Sequence, residues 1–145
     1  MARVTVRPMR QEDLNRVADL SGQLGYPVAV HVLQTRFSQI AADPGQALFV
    51  AQSNGRLVGW THVHPHWTLE EEPNAEIVGL VVDEQARRTG AGRALVEEVE
   101  GWARQHGFRR IRVRSNVVRQ EAHHFYPALG FTRFKTQHNY ELRLA

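Results

Sequence analysis

Glu76-Ile77-Val78-Gly79-Leu80-Val81-Val82 form a run of strand length that is apolar after its first residue. Shortly beyond it comes Arg87-Arg88-Thr89-Gly90-Ala91-Gly92-Arg93, and then a helical pattern with Leu95, Val99 and Trp102 on one face. No other stretch constrains the fold as tightly. A strand this apolar belongs inside a sheet covered on both faces. A helix opening from a glycine-rich turn offers unpaired N–H groups at the positive end of its dipole, where an anion can sit.

The remaining chain arranges itself around that unit. Val4, Val6 and Pro8 alternate as a first strand. Glu12 and Asp13 open a helix whose Leu14, Val17, Ala18, Ser21 and Leu24 share a face, and Gly22, Gly25, Tyr26 and Pro27 break it. A second helix is expected over 28–41, with Val32, Leu33, Phe37 and Ile40 as its stripe, before the turn Asp43-Pro44-Gly45. Leu48 to Gln52 and Leu57 to Val63 flank Asn54-Gly55, a hairpin signal. His64-Pro65-His66-Trp67 is expected to end the second hairpin strand, because proline is poorly tolerated inside a sheet. Ala75 to Val82 is the central strand, and the helix from Gly90 to His106 stops at Gly107. A strand over 108–114, a helix over 121–129 stopping at Gly130, and closing strands over 131–134 and 139–144 complete the pattern. The expected fold is an α/β (α+β) sandwich: one domain over 1–145, with a mixed, mostly antiparallel sheet of six to seven strands flanked by about four helices.

Composition removes several functions. The 145 residues include no cysteine, which excludes disulfides, a thiol nucleophile and thiolate metal sites. No run of about 18 apolar residues is present, so no membrane helix is expected. The N-terminal residues lack a signal-peptide pattern, and a cytoplasmic location is the expectation. The net charge is +3, with nine arginines between Arg87 and Arg119 against Glu97, Glu98 and Glu100. Such a basic half suits a polyanionic ligand, either a nucleic acid or a nucleotide cofactor. No nucleic-acid motif accompanies it, so nucleic acid is not expected as a partner. The turn has no Gly-Lys-Ser/Thr and is not a nucleoside-triphosphate loop; with Leu95 in place of the third glycine, it is not a dinucleotide fingerprint either.

Arg87-Arg88-Thr89-Gly90-Ala91-Gly92 after a central strand resembles the Arg/Gln-x-x-Gly-x-Gly/Ala signature of the GNAT superfamily of acyl-CoA-dependent N-acetyltransferases. A second family segment is matched by Asn116 and by Phe125-Tyr126-Pro127-Ala128-Leu129-Gly130-Phe131. The resemblance implies acetyl-CoA as co-substrate, with its pyrophosphate on the backbone N–H groups of Arg88 to Arg93. It further implies a pantetheine arm paired like an extra strand with Leu80, Val81 and Val82. Homodimers are common in the family.

Such pairing requires the central strand to part from its neighbour. Gly79 is a candidate bulge, or else a small residue beneath a helix. The N–H near Leu80 is a candidate oxyanion donor. An alkylammonium of pKa about 10.4 must lose a proton before attack. Glu76 is the candidate base, directly or through water; the alternative is a strand-end glutamate facing solvent or paired with an arginine. Tyr126 matches the family tyrosine that protonates the departing thiolate, although Pro127 follows where a helix-compatible residue is usual. Asn116 either contacts the CoA arm or caps a strand.

His62, His64 and His66 would share one face of a continuous strand. The intervening proline, and the lack of a carboxylate in register, argue against a metal, and none is expected. A wall of the acceptor pocket, with Trp60, Trp67 and Tyr26, is the preferred reading. Glu70-Glu71-Glu72 is either an attractor for a cationic acceptor or a solvated loop. The acceptor itself, a small-molecule or protein amine, is not specified by any residue. Transfer of acetyl from acetyl-CoA to a primary amine is the leading expectation; a non-catalytic acyl-CoA-binding domain of the same fold is the alternative.

Overall fold

The computed structural model describes residues 3–114 and 120–145, the side chains of Gln120 and Glu121 excepted. Two compact units make up the chain, Met1–Arg114 and Ser115–Ala145. The first contains strands β1 (Val4–Pro8), β2 (Ala47–Ser53), β3 (Arg56–His66), β4 (Asn74–Val82) and β5 (Ile111–Val113) and helices α1 (Leu14–Gln23), α2 (Val30–Ala41) and α3 (Ala91–Gln105). The second contains α4 (Gln120–Ala128). The sheet order is β1-β2-β3-β4-β5, antiparallel except for the parallel β4–β5 pair.

The sheet therefore has five strands among the described residues, not six to seven. Residues 131–134 and 139–144, expected as closing strands, have no regular secondary structure. Alternation of apolar side chains supplies a strand face, but a strand also needs a neighbour's backbone to pair with.

Both faces of the sheet are covered. On one, Leu14, Val17 and Leu20 of α1 pack with Val50, Leu57 and Val81, and Leu33, Phe37, Leu48 and Trp60 close around them. On the other lies α3, which buries Leu95, Val96, Val99, Trp102 and Ala103. Each of these larger side chains contributes roughly 1.5–3 kcal/mol when fully buried. The close approach of α3 depends on Gly59, where a Cβ would stand 2.9 Å from the Val81 carbonyl oxygen and 3.2 Å from a Leu95 methyl.

The local signals act as their chemistry dictates. Asn54 and Gly55 both take positive φ (54° and 74°) and close the β2–β3 hairpin between Ser53 and Arg56. Gly107, at φ 80°, ends α3 with Phe108 N–H bonded to the Ala103 carbonyl and Gly107 N–H to that of Arg104. Asp13 forks with Arg7 through two 2.8 Å bonds and accepts from the Arg10 amide at 2.7 Å, tying β1 to the turn before α1.

One expectation about β3 is corrected. The strand does not stop before Pro65 but runs to His66, with Pro65 opposite Ala75. The Ala75 N–H donates to the Arg110 carbonyl at 2.9 Å, on the β5 side. In an antiparallel ladder this makes Pro65–Ala75 a pair without mutual hydrogen bonds. The Pro65 nitrogen faces the β2 side instead, and β2 pairing ends at Ala47–Val63. The missing N–H leaves no ladder bond unmade.

Candidate active site

The released edge of β4 is the centre of the site. Among the described residues β5 pairs with Ala75, Glu76 and Ile77, and Val78 to Val82 have only β3 beside them. The register against β3 shifts at the same point, His62 facing Gly79 and Val63 facing Ile77, which leaves Val78 as the extra residue of a bulge. Gly79 thus sits at the expected bulge; what covers it is a tryptophan, not a helix. A Cβ there would lie 2.8 Å from two ring carbons of Trp60.

Ladder alternation then fixes where the backbone groups point. Asp83 N–H donates to the Val58 carbonyl at 2.8 Å, so Asp83, Val81 and Gly79 bond toward β3. Leu80 and Val82 direct their N–H and C=O groups to the open side. Val81 is different: its backbone is spent on β3 and its side chain is in the core.

Asp83 anchors the exit from this strand. It is buried, accepts from the Gln85 amide at 3.0 Å, and pairs with Arg16 of α1. Its carboxyl is held below the usual range by the Gln85 amide, with Gln23 and Arg16 adding to the effect against the opposing push of burial. Beyond it, Arg88 takes φ 66° and Gly90 φ 92°, and α3 begins at Ala91. The first helical bond runs from Ala94 N–H to the Gly90 carbonyl at 2.9 Å. Ala91, Gly92 and Arg93 therefore have no acceptor within the helix for their N–H groups. Arg87, Arg88, Thr89 and Gly90 are exposed, as is Arg93, while Ala91 and Gly92 are buried against the fold. A Cβ at Gly90 would meet nothing within 4 Å, but its φ lies where side chains are strained.

Glu76 lies on the α1–α2 face, opposite His64, and is 8% exposed. Its carboxylate is 3.1 Å from Arg114 Nε, 3.6 Å from His66 and 3.9 Å from His64. The arginine-paired alternative is therefore present. The expectation that no carboxylate stands in register with the histidines is wrong: the β3–β4 register brings Glu76 directly across from His64. No group of three or more His, Asp or Glu suited to a metal occurs among the described residues.

His62 is anchored separately. Its Nε2 lies 2.7 Å from Gln46 Oε1, and the Gln46 amide nitrogen donates to Asp43 Oδ2 at 3.0 Å. Burial, with His64 adding to it, pushes the His62 pKa down to about 4.

The expected aromatic wall is not assembled as one. Trp60 packs against the core beneath α1 and against Gly79, whereas Trp67 is 68% exposed and packs on Phe108, which stacks on Trp102 of α3. Tyr26 is largely exposed. The acidic loop is committed elsewhere: Glu72 pairs with Arg109 at 2.6 Å and Glu71 with Arg112, fastening the β3–β4 connection to the residues around β5.

In the second unit, Tyr126 lies in the last turn of α4, and the helix runs through Pro127. Proline near the helix end sacrifices a single N–H donor there. The end is closed by Gly130 at φ 95°, with Phe131 N–H bonded to the Tyr126 carbonyl at 3.1 Å and Gly130 N–H to that of Pro127 at 3.0 Å. The Tyr126 ring meets Phe125 and Phe131 edge-on. Asn116 lies outside the described residues.

Comparison with known proteins decides the family. The sequence model of the Acetyltransferase (GNAT) family matches residues 14–131. The chain belongs to the GNAT acetyltransferase family. Among its GNAT relatives, a mycothiol acetyltransferase of Thermomonospora curvata is 32% identical over 111 residues, covering 75% of this chain and 35% of the relative. An aminoglycoside N(6')-acetyltransferase type 1 of Serratia marcescens is 28% identical over 98 residues, covering 64% of this chain and 67% of the relative. The chain thus spans about a third of the length of the mycothiol acetyltransferases it matches. An aminoglycoside N-acetyltransferase solved with CoA shares the fold with a TM-score of 0.87 at 19% identity, over 99% of this chain and 97% of that one.

Sequence reasoning missed Gln46 and Asp43 behind His62, Arg114 against Glu76, and Asp83 at the strand exit. Asp83 had a local signal, an acidic residue just past an apolar run. Asp43 lies in the turn read from Asp43-Pro44-Gly45, while Gln46 and Arg114 meet their partners through strand pairing and carry no local signal.

Proposed function

We propose that residues 1–145 form one N-acetyltransferase domain that moves an acetyl group from acetyl-CoA to a primary amine by direct attack. The observation that carries this reading is the released edge of β4, with Leu80 and Val82 backbone groups directed outward, upstream of the open α3 N-terminus. An edge of this kind matches an extended amide-bearing arm, and a helix N-terminus flanked by Arg88 and Arg93 matches a diphosphate. Membership of the family and the named activities of the relatives support the same assignment.

Each part has a role in the proposal. Thr89 to Arg93, with Arg87 and Arg88, hold the diphosphate, and Leu80 and Val82, on either side of Val81, pair with the pantetheine arm, which Asn116 also contacts. The Leu80 N–H receives the thioester oxygen as it becomes negative. Glu76 and its histidine neighbours form the base face toward the acceptor. Tyr126 supplies the proton to the departing thiolate, since a phenol of pKa about 10 can protonate a thiolate of pKa roughly 8.5–9. The acceptor is assigned to the small-molecule amines, the class that the aminoglycoside and mycothiol enzymes suggest.

Thiol release from acetyl-CoA across kanamycin, glucosamine, spermidine and lysine amide tests this. Turnover is expected with at least one, falling about 10²-fold in Tyr126→Phe. Stabilisation by CoA without turnover on any amine would instead favour the non-catalytic acyl-CoA-binding domain.

A further inference from the structure

We infer that His62 takes the proton from the acceptor amine, with Gln46 and Asp43 as positioning residues that lock its tautomer. This rests on the acetyltransferase reading above and moves the base role from Glu76 to His62.

The geometry runs outward from Asp43. Its carboxylate accepts only, taking the Gly45 amide at 2.8 Å and the Gln46 side-chain nitrogen at 3.0 Å. That second bond turns the Gln46 amide so that its oxygen faces His62. An amide oxygen cannot donate, so the 2.7 Å contact requires the hydrogen on His62 Nε2. The lone pair is left on Nδ1, to which no described residue donates.

The placement is equally specific. His62 pairs with Gly79, next to Leu80, beyond the last β4 residue that pairs with β5 among the described residues. Glu76 lies on the far side of the bulge, and its carboxylate already meets Arg114 at 3.1 Å, with His66 and His64 close by. Among the described residues, the charged and titratable groups placed near His62 are His64 on its own strand, at 5.9 Å between rings, Asp43 through Gln46 on the turn before β2, and Glu76 opposite His64 on β4. Burial and His64 keep the imidazole neutral down to about pH 4, so its lone pair is available throughout the neutral range.

The acceptor ammonium loses one proton to water. Its nitrogen then forms the C–N bond to the thioester carbon while the carbonyl π pair moves to oxygen. His62 Nδ1 takes a proton from the new cationic nitrogen. The oxygen pair returns, the C–S bond breaks, and sulfur leaves with the bonding pair to take the Tyr126 proton. His62 releases its proton to solvent and Tyr126 regains one, giving amide, thiol and one net proton.

Two experiments on the full chain test the inference. Ring ¹⁵N spectra at pH 7 should show His62 with Nε2 protonated and Nδ1 bare, and Gln46→Leu should mix the tautomers; a protonated Nδ1 in the parent overturns the proposal whether or not any amine is turned over. With the amine that turns over fastest among kanamycin, glucosamine, spermidine and lysine amide, His62→Ala should lose about 10²-fold in kcat with little change in CoA affinity. Added imidazole should restore part of that rate. Gln46→Glu should move the acid limb of kcat/KM to higher pH, because a carboxylate on Nε2–H favours the imidazolium. Undiminished turnover in His62→Ala, or a loss that imidazole does not rescue, overturns the base assignment while leaving the acetyltransferase reading intact. CoA binding without turnover on any of the four amines overturns that reading and the inference with it.

Discussion

The two halves of β4 share one strand but differ in what their backbones do. From Asn74 to Ile77 the strand lies between β3 and β5. From Val78 to Val82 it has β3 alone among the described residues. The first half is almost wholly buried, while the second contains the exposed Val78 and the half-buried Gly79, Leu80 and Val82. The lesson is that a binding edge need not be a surface strand. A central strand can present such an edge where pairing on one side stops among the described residues and a bulge changes its course.

The largest effect expected from this comparison comes from proline in the second half. Leu80→Pro removes an N–H that points to the open side, so the fold should persist while turnover falls about 10²–10³-fold, the usual cost of an oxyanion donor. Val81→Pro removes a ladder bond to β3 and should lower unfolding stability by about 1–3 kcal/mol. Steady-state rates beside denaturant curves separate the two, and equal unfolding by both would abolish the distinction between inward and outward backbone.

Next comes Gly79→Ala. A Cβ 2.8 Å from Trp60 must displace the ring, and overpacking of this kind costs roughly 1–3 kcal/mol. A matching loss of stability, readable by chemical denaturation, is expected; an unchanged midpoint would show that the bulge accommodates a side chain.

The third concerns pH. His62 is depressed from 6.5 to about 4, so between those values the unfolded chain binds a proton that the folded chain refuses. Stability should therefore fall as pH is lowered through that window, on the order of 2 kcal/mol once solvent screening of a half-buried ring is allowed for. His62→Gln should flatten the profile, and an unaltered slope would place its origin in other groups. Smallest is Arg114→Gln, which removes the partner of a buried Glu76 from a side chain that is itself 64% exposed. About 1 kcal/mol is expected in urea unfolding at pH 7, and no change would show that the two histidines suffice.

What the sequence made legible was whatever depends on neighbours in the chain. Asn54-Gly55, the stops at Gly107 and Gly130, the apolar run to Val82 and the turn to Gly92 all carry their chemistry in adjacent residues. Pro65 misled because its tolerance depends on which side of β3 still has a partner. Glu76 facing His64, and Gln46 meeting His62, arise from strand register, which no local pattern encodes. The family resemblance was readable because its signature is itself local, lying within one turn. The residues around His62 and Glu76 come from β3, β4, the turn before β2 and the end of β5, and converge only on folding.

The outward-facing groups of Leu80 and Val82 also have a bearing on handling the protein. An unpaired strand edge is a template on which a second chain can add itself. Here the vulnerable length is short, and the bulge at Val78 twists it away from the flat geometry that fibrils require. Any ligand that pairs with this edge would shield it and stabilise the folded chain by mass action. Purification with CoA present should therefore raise the melting temperature and suppress light scattering on heating, whether or not the acceptor is known.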